Sequence, residues 1–216
     1  MTGIIDAKEY GFLPDGERFN DGVMAKYIEN DYKTPIFFPE GTYLFSKTIA
    51  FPDLCFVELA AHAEFKLESD EVIDYFITLR RGRTGGGYGF NCYIRGGFIN
   101  ANNKAKNGIG VYKTRHVVFE DFFLKNVLEK GIVARTEEQP DGQSFFRNVL
   151  IENDFALPGT VGVYDNAFDT HFDQVEVVNF ETAYNTICGR FNYCSAWLRD
   201  NSTIGDSTFA VIRGHD

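Results

Sequence analysis

"FEDFFLKN", residues 119–126, returns in outline as "FRNVLIEN" at 146–153 and as "FDQVEVVN" at 172–179. Each stretch opens on phenylalanine, carries apolar residues at its fourth and sixth positions and closes on asparagine. The lead residues Phe119, Phe146 and Phe172 are spaced 27 and then 26 residues apart. Steps of 26 reach Tyr93 in "YIRGGFIN" (93–100) on one side and Leu198 in "LRDNSTIG" (198–205) on the other. The sixth position then reads Phe98, Leu124, Ile151, Val177 and Thr203, and the last reads Asn100, Asn126, Asn153, Asn179 and Gly205. A second register agrees, because "GIGVY" (108–112) and "TVGVY" (160–164) lie 52 residues apart, two periods.

A repeat of this length is the mark of a solenoid, whose units bury their apolar stripes only against one another. Within each unit, apolar and polar residues alternate with period two, which is the strand signature. Short strands divided by Asn and Gly turns predict an all-β parallel β-helix. The aromatic and aliphatic residues of the repeat are expected inside, stacked coil on coil. The closing asparagines are expected in the turns, amide bonded to amide as in stacked strands.

Composition agrees with this. Of 216 residues, 44% are hydrophobic and 24% charged, which suits a globular chain and one domain over 1–216, with 1–50 as cap and first coil and 51–216 as further coils. Phe (22), Tyr (11) and Gly (21) are abundant, a mixture that favours strands and turns. A net charge of −10 argues against nucleic acid or an anionic membrane as partner. No run of apolar residues is long enough to span a bilayer, and "MTGIIDAKEY" shows no secretory leader. Cys55, Cys92, Cys188 and Cys194 form no CxxC and no zinc spacing, so they read as reduced, mostly buried thiols. No calcium pattern stands out among the acids, and neither a metal nor a cofactor is expected.

The first fifty residues are built differently. Asn20–Asp21 offers a helix cap, and Val23, Met24, Tyr27 and Ile28 follow at helical spacing. "IFFPEGTYLFSKTI" (36–49) then reads strand, turn, strand. A short amphipathic helix here would cover the open end of the solenoid. "EYGFLPDGERFND" (9–21) with that strand pair resembles the start of the pectate-lyase-like, right-handed β-helix superfamily, and "GGFINANN" (96–103) resembles one of its coils. Asn20–Asp21–Gly22 stands where many of those relatives carry two acids and Thr. The resemblance implies a right-handed helix of coils and a carbohydrate partner. It does not choose among lyase, glycoside hydrolase, uronate epimerase and phage-tailspike activities, and polysaccharide lyase or glycoside hydrolase is the leading expectation.

Candidate site residues come from the outward columns and from one dense polar cluster. The second position of the repeat reads Ile94, Glu120, Arg147, Asp173, Arg199, an alternation of charge that makes either a cross-strand ladder or one wall of a glycan site. "VYDNAFDTHFDQ" (163–174) gathers Tyr164, Asp165, Asp169, His171 and Asp173. Its "FDTH" is similar to the F-D-P-H stretch of mannuronan C5-epimerases, with Thr170 in place of Pro. Catalysis on a uronate needs a proton-handling group and a cation for the carboxylate. His171, Asp169, Asp173 and Tyr164 are the catalytic candidates. Arg147, Arg199, Tyr112 and Asp165 are the substrate-binding candidates, with Tyr112 and Tyr164 expected in one column two coils apart. The structural alternative is that Asp165 and Asn166 make a turn and His171 bonds within its coil. "RRGRTGGGYGF" (80–90) reads as a projecting loop. Polysaccharide-active enzyme, non-catalytic glycan-binding module and structural solenoid all remain open, and the shortness of the chain suits a trimmed chain, a minimal binder or an oligomer.

Overall fold

In the computed structural model, residues 3–79, 89–112, 114–135, 142–167, 169–187, 189–198 and 208–212 are described. The loop read at 80–90 lies outside them except for Gly89 and Phe90, as do Cys188, Arg199 and most of 198–205.

The chain winds as a right-handed parallel β-helix, with strands stacked into three faces. The first face stacks Ile36–Phe38, Phe56–Leu59, Tyr93–Arg95, Thr114–Glu120 and the start of Gly142–Asn166, then the start of His171–Thr186 and Arg190–Asn192. The second stacks Gly41–Phe45, Ala63–Leu67, Phe98–Asn100, Phe123–Lys125, the middle of Gly142–Asn166 and Ser195–Trp197. The third runs from Ile49–Phe51 through Ile73–Leu79, Ala105–Tyr112 and Lys130–Arg135 to Thr208–Ile212.

The central register is the expected one. Phe119 pairs with Phe146 and Phe146 with Phe172, all buried, their rings nearly parallel and 5.2 and 5.3 Å apart. Leu124, Ile151 and Val177 form a second interior column. At both ends the simple period fails. Ile94, not Tyr93, stacks under Phe119, so the coil at 93–100 is shifted by one residue and Ile99 takes the place expected of Phe98. Beyond Phe172 the next ring is Phe191, at 5.0 Å, because that coil is shorter by seven residues than a step of 26. The repeat is therefore kept by what the interior needs and not by a fixed count.

The asparagine column also differs from expectation. Asn153 Nδ2 donates to the Val127 carbonyl at 3.0 Å, and its Oδ1 accepts from Val127 N at 2.8 Å. Asn179 Nδ2 donates to the Asn153 carbonyl at 2.7 Å. Asn126 Oδ1 accepts from Asp154 N, and its Nδ2 donates to Asp154 Oδ2. The amides thus bond chiefly to the main chain of the neighbouring coil, where turn N–H and C=O groups would otherwise be buried without partners. Asn100 is out of this column by the one-residue shift, and its Nδ2 donates to Glu64. Asn153 is 2% exposed. Asn153→Ala would strand one N–H and one C=O of Val127, so a loss of about 1–3 kcal/mol is expected. Urea denaturation checks it, and a midpoint equal to the parent's would rule out the bracing role.

The helix Asp21–Asn30 leans on the first coils, with Met24 and Tyr27 buried and Val23 and Ile28 packed at the edge of the core. Tyr27 Oη donates to the Thr34 carbonyl at 2.9 Å, and burial pushes its phenol well above the ordinary value. Asn20 occupies the cap position, but its side chain does not cap. It accepts from Leu13 N and donates to the Leu13 carbonyl, tying down the chain just before the strand Asp15–Phe19. Asp21 instead accepts from Ser46 N and Oγ.

Candidate functional site

From Arg95 onward each coil turns between the first and second faces through two residues, and the first of them has a left-handed backbone: Gly96, Asp121, Asn148, Gln174 and Tyr193. Gly, Asp and Asn adopt that conformation at least cost. The second residue points inward, as Phe122, Val149 and Val175 do. This corner sets the outer surfaces of the two faces against each other, and a groove of about 530 Å³ follows it past five coils. Glu58 and Arg95 line one side, Phe98, Phe123 and Leu150 the other, and Asp121, Asn148 and Gln174 lie along the corner.

The charged side belongs to a longer column than the sequence period suggests. Registered pairs run Glu58, Arg95, Glu120, Arg147, Asp173, Asn192. Arg95 replaces Ile94 because of the one-residue shift, and Asn192 stands where Arg199 was expected. Arg95 Nη2 meets Glu58 Oε1 at 2.7 Å, Arg147 Nη1 lies 4.0 Å from Glu120 Oε2, and Asn192 Nδ2 donates to Asp173 Oδ1 at 2.8 Å. Tyr93 Oη donates to the Glu120 carboxylate. The Arg95 side chain is 40% exposed and that of Arg147 51%, so each rung contributes only about 0.2–1 kcal/mol. Such rungs do not decide the fold, and their polar atoms remain open to a ligand at modest cost.

Two residues back along the same strands runs a column of two aromatic pairs separated by Val118. Phe56 stacks on Tyr93 at 4.9 Å, and Phe145 on His171 at 4.8 Å. Arg147 lies 5.3 Å from the Phe145 ring centre. On the first face of the later coils, Phe145, Arg147, His171, Asp173 and Arg190 line a depression of about 240 Å³. Three sequence candidates, Arg147, His171 and Asp173, therefore meet. Asp169 sits beside them through Arg190, whose Nη2 is 3.3 Å from Asp169 Oδ1.

The other candidates separate. Asp165 is fully buried in the interior column between Ala134 and Thr186. Its carboxylate accepts from Ala167 N, Thr170 Oγ1 and Thr186 Oγ1, so it braces a coil end and is out of reach of a surface ligand. Tyr164 lies on the third face, with Lys130 Nζ 5.6 Å from its ring centre. It shares a column with Val133 and Gly110, whereas Tyr112 aligns with Arg135 and Asn166. The expected tyrosine pair thus does not exist, and Tyr112 instead sets its ring edge-on to Tyr75 at 5.7 Å. Arg199 lies outside the described residues. The sequence reading missed Glu58, Arg95, Phe98, Phe123 and Leu150, because a half-buried phenylalanine in a strand reads as core.

A larger depression, about 650 Å³, lies where the helix meets Ile49–Phe51, and its wall is formed largely by the apolar flank of the cap. Among the described residues, no three His, Cys, Asp or Glu side chains cluster as metal ligands would, and no helix is long and apolar enough to cross a membrane.

No family model and no curated protein matches the sequence. Solved structures do. The mannuronan C-5 epimerase AlgE4 A-module of Azotobacter vinelandii matches over 97% of this chain and 64% of its own, at 18% identity and a TM-score of 0.59. PfbA, a surface adhesin of Streptococcus pneumoniae, matches over 90% and 63%, at 11% identity and 0.56. ORF18 of Geobacillus virus E2 matches over 98% and 61%, at 11% identity and 0.56. The chain spans a little under two thirds of the length of these structures. At such identity the likeness establishes architecture, and with the registered coils it gives the chain the parallel β-helix fold of these structures.

Proposed function

We propose that the chain binds a polysaccharide along the corner groove, with Phe98, Phe123 and Leu150 against the apolar faces of sugar rings and Arg95, Glu58, Asp121 and Asn148 on their hydroxyl or carboxylate groups. The observation that carries this reading is an apolar wall of Phe98, Phe123 and Leu150 facing Glu58 and Arg95 in one open groove, with Asp121 and Asn148 along its corner. Glycans present both kinds of surface. The coil spacing of about 4.8 Å is close to the advance of one sugar in an extended chain, so successive coils can meet successive sugars. A uronate-containing polymer fits best, because Arg95 and Arg147 lie on the same column and a guanidinium holds a carboxylate in bidentate fashion.

The experiment is a binding screen against uronate-containing and neutral polysaccharides, followed by Phe123→Ala and Arg95→Ala. Each change is expected to weaken the best glycan about tenfold, the equivalent of a ring contact or charge-assisted bond of about 1.4 kcal/mol. Unchanged affinity in both, with Arg95→Ala costing stability instead, would make the column a structural ladder only.

One observation favours a second, catalytic reading. The 240 Å³ depression holds His171 beside Arg147, Arg190 and Asp173, an imidazole able to move a proton next to cations able to neutralise a uronate carboxylate. On this reading His171→Ala abolishes formation of unsaturated or epimerised product and leaves binding nearly intact, since it removes an interaction made in the transition state. Absence of any product with the parent protein, followed by absorbance, reducing ends and NMR, would leave binding as the function.

A further inference from the structure

Cys55 and Cys92 stand one residue before the strands Phe56–Leu59 and Tyr93–Arg95, which pair in parallel with Phe56 opposite Tyr93 and Val57 opposite Ile94. Tyr93 N donates to the Cys55 carbonyl at 2.9 Å, so the ladder extends to the cysteines themselves. They are a registered pair on adjacent coils. Neighbouring parallel strands lie about 4.8 Å apart, inside the window of about 4.4–6.8 Å between Cα atoms that a disulfide requires. Both side chains turn inward, 1% and 3% exposed, and the sulfurs lie 2.9 Å apart as free thiols. The Cys92 thiol also reaches the Pro52 carbonyl at 3.0 Å. Backbone register and side-chain direction thus agree independently.

We propose that Cys55 and Cys92 are a cross-coil disulfide site, closed when the chain folds in the presence of a small-molecule disulfide. The Cys92 thiolate attacks one sulfur of oxidised glutathione and displaces a glutathione thiolate. The Cys55 thiolate then attacks the Cys92 sulfur of the mixed disulfide and displaces the second. The two thiol protons pass to the two departing thiolates. The cysteines lose two electrons, and the glutathione disulfide gains them. The roles of the two cysteines are interchangeable, since either sulfur can donate to the other. Because both sulfurs are buried, the exchange occurs while the coils are closing and not in the finished fold.

The bond would tie residues 37 apart in sequence. Glu58 and Arg95 each lie three residues beyond one of the cysteines, and they are joined by the 2.7 Å ion pair at the groove. The staple would therefore lie directly behind one end of the corner groove and fix the spacing of those two coils.

The test is refolding of the full chain in a glutathione redox buffer against refolding in excess reductant, followed by mass spectrometry of non-reduced peptides. The expected result is a linked pair of peptides containing Cys55 and Cys92 and the loss of two hydrogens from the intact mass. Melting of the oxidised form should lie roughly 5–15 °C above the reduced form, since a loop of this size is closed in the unfolded chain. Cys55→Ala and Cys92→Ala should each remove that difference, and both should melt near the reduced parent. Chain folded in reductant and then exposed to oxidised glutathione should stay reduced. Recovery of both cysteines as free thiols after oxidative refolding, or linkage of either one to Cys188 or Cys194, would overturn the proposal. The peptide assignment is made on the parent protein, so it stands even where a variant folds poorly.

Discussion

Phe146→Ala should lower stability by about 3–5 kcal/mol. The Phe146 ring is fully buried and lies between those of Phe119 and Phe172, 5.2 and 5.3 Å away and within 10° of parallel to both. Its removal leaves a gap with an aromatic face on each side. The gap cannot close, because the coils above and below are held at strand spacing by the main-chain ladder from Val117 to Glu120 and from Phe145 to Asp173. The lining then loses dispersion contacts as well as the transfer energy of the ring. Phe191→Ala is the control. Its ring ends the same stack and is 38% exposed, so its loss should be clearly smaller. Guanidinium unfolding of the two variants compares them, and equal losses would contradict an interior stack that is complete at Phe146 and open at Phe191.

Gly96→Ala should cost about 2–5 kcal/mol, although its backbone angle alone does not demand glycine. Asp121, Asn148 and Gln174 take the same corner position with φ of 59°, 48° and 53°. What differs is the coil below. A Cβ on Gly96 would sit 2.1 Å from the Leu59 carbonyl oxygen, and one on Gly97 2.5 Å from that of Ala63. Between Glu58 and Glu64 that lower coil turns through five residues where later corners need two. Its extra backbone occupies the space a side chain would fill. Asn148→Ala, at a corner with the ordinary two-residue turn beneath it, should by contrast cost only about the strain of a left-handed alanine, roughly 1–2 kcal/mol. Thermal unfolding of both distinguishes crowding from strain, and a mild effect at Gly96 would show that the lower coil can move aside.

The same corner explains how far the sequence could be read. The stack of Phe119, Phe146 and Phe172 was legible because those three coils have nearly equal length. The coil at 93–100 was misregistered by one residue, since its step to the next coil is 25 on both faces, Ile94 to Phe119 and Ile99 to Leu124, and a shortfall of one residue leaves no mark in the apolar pattern. That slip hid Arg95 and assigned Phe98 to the core. Arg147, His171 and Asp173 were found because they fall where the period holds. Asp165 was misassigned because a carboxylate bonded by two threonine hydroxyls and an amide looks, in sequence, like any acid in a polar cluster. The tyrosines of 108–112 and 160–164 match as letters but not as rungs, since the strand at 130–135 sets its own register between them.

A chain paired in this way also has a direction in time. Every registered partner lies between 19 and 37 residues upstream, from Phe172 with Phe191 to Phe56 with Tyr93. During synthesis each coil emerges to find its template already laid, starting from the one beneath the helix. An early error, near Leu59 or Gly96, would deny a template to everything made afterwards. An equally buried error near Phe191 would spoil one coil. The yield of folded chain from the ribosome should therefore be most sensitive to the first third of the sequence, whatever the equilibrium cost of each substitution.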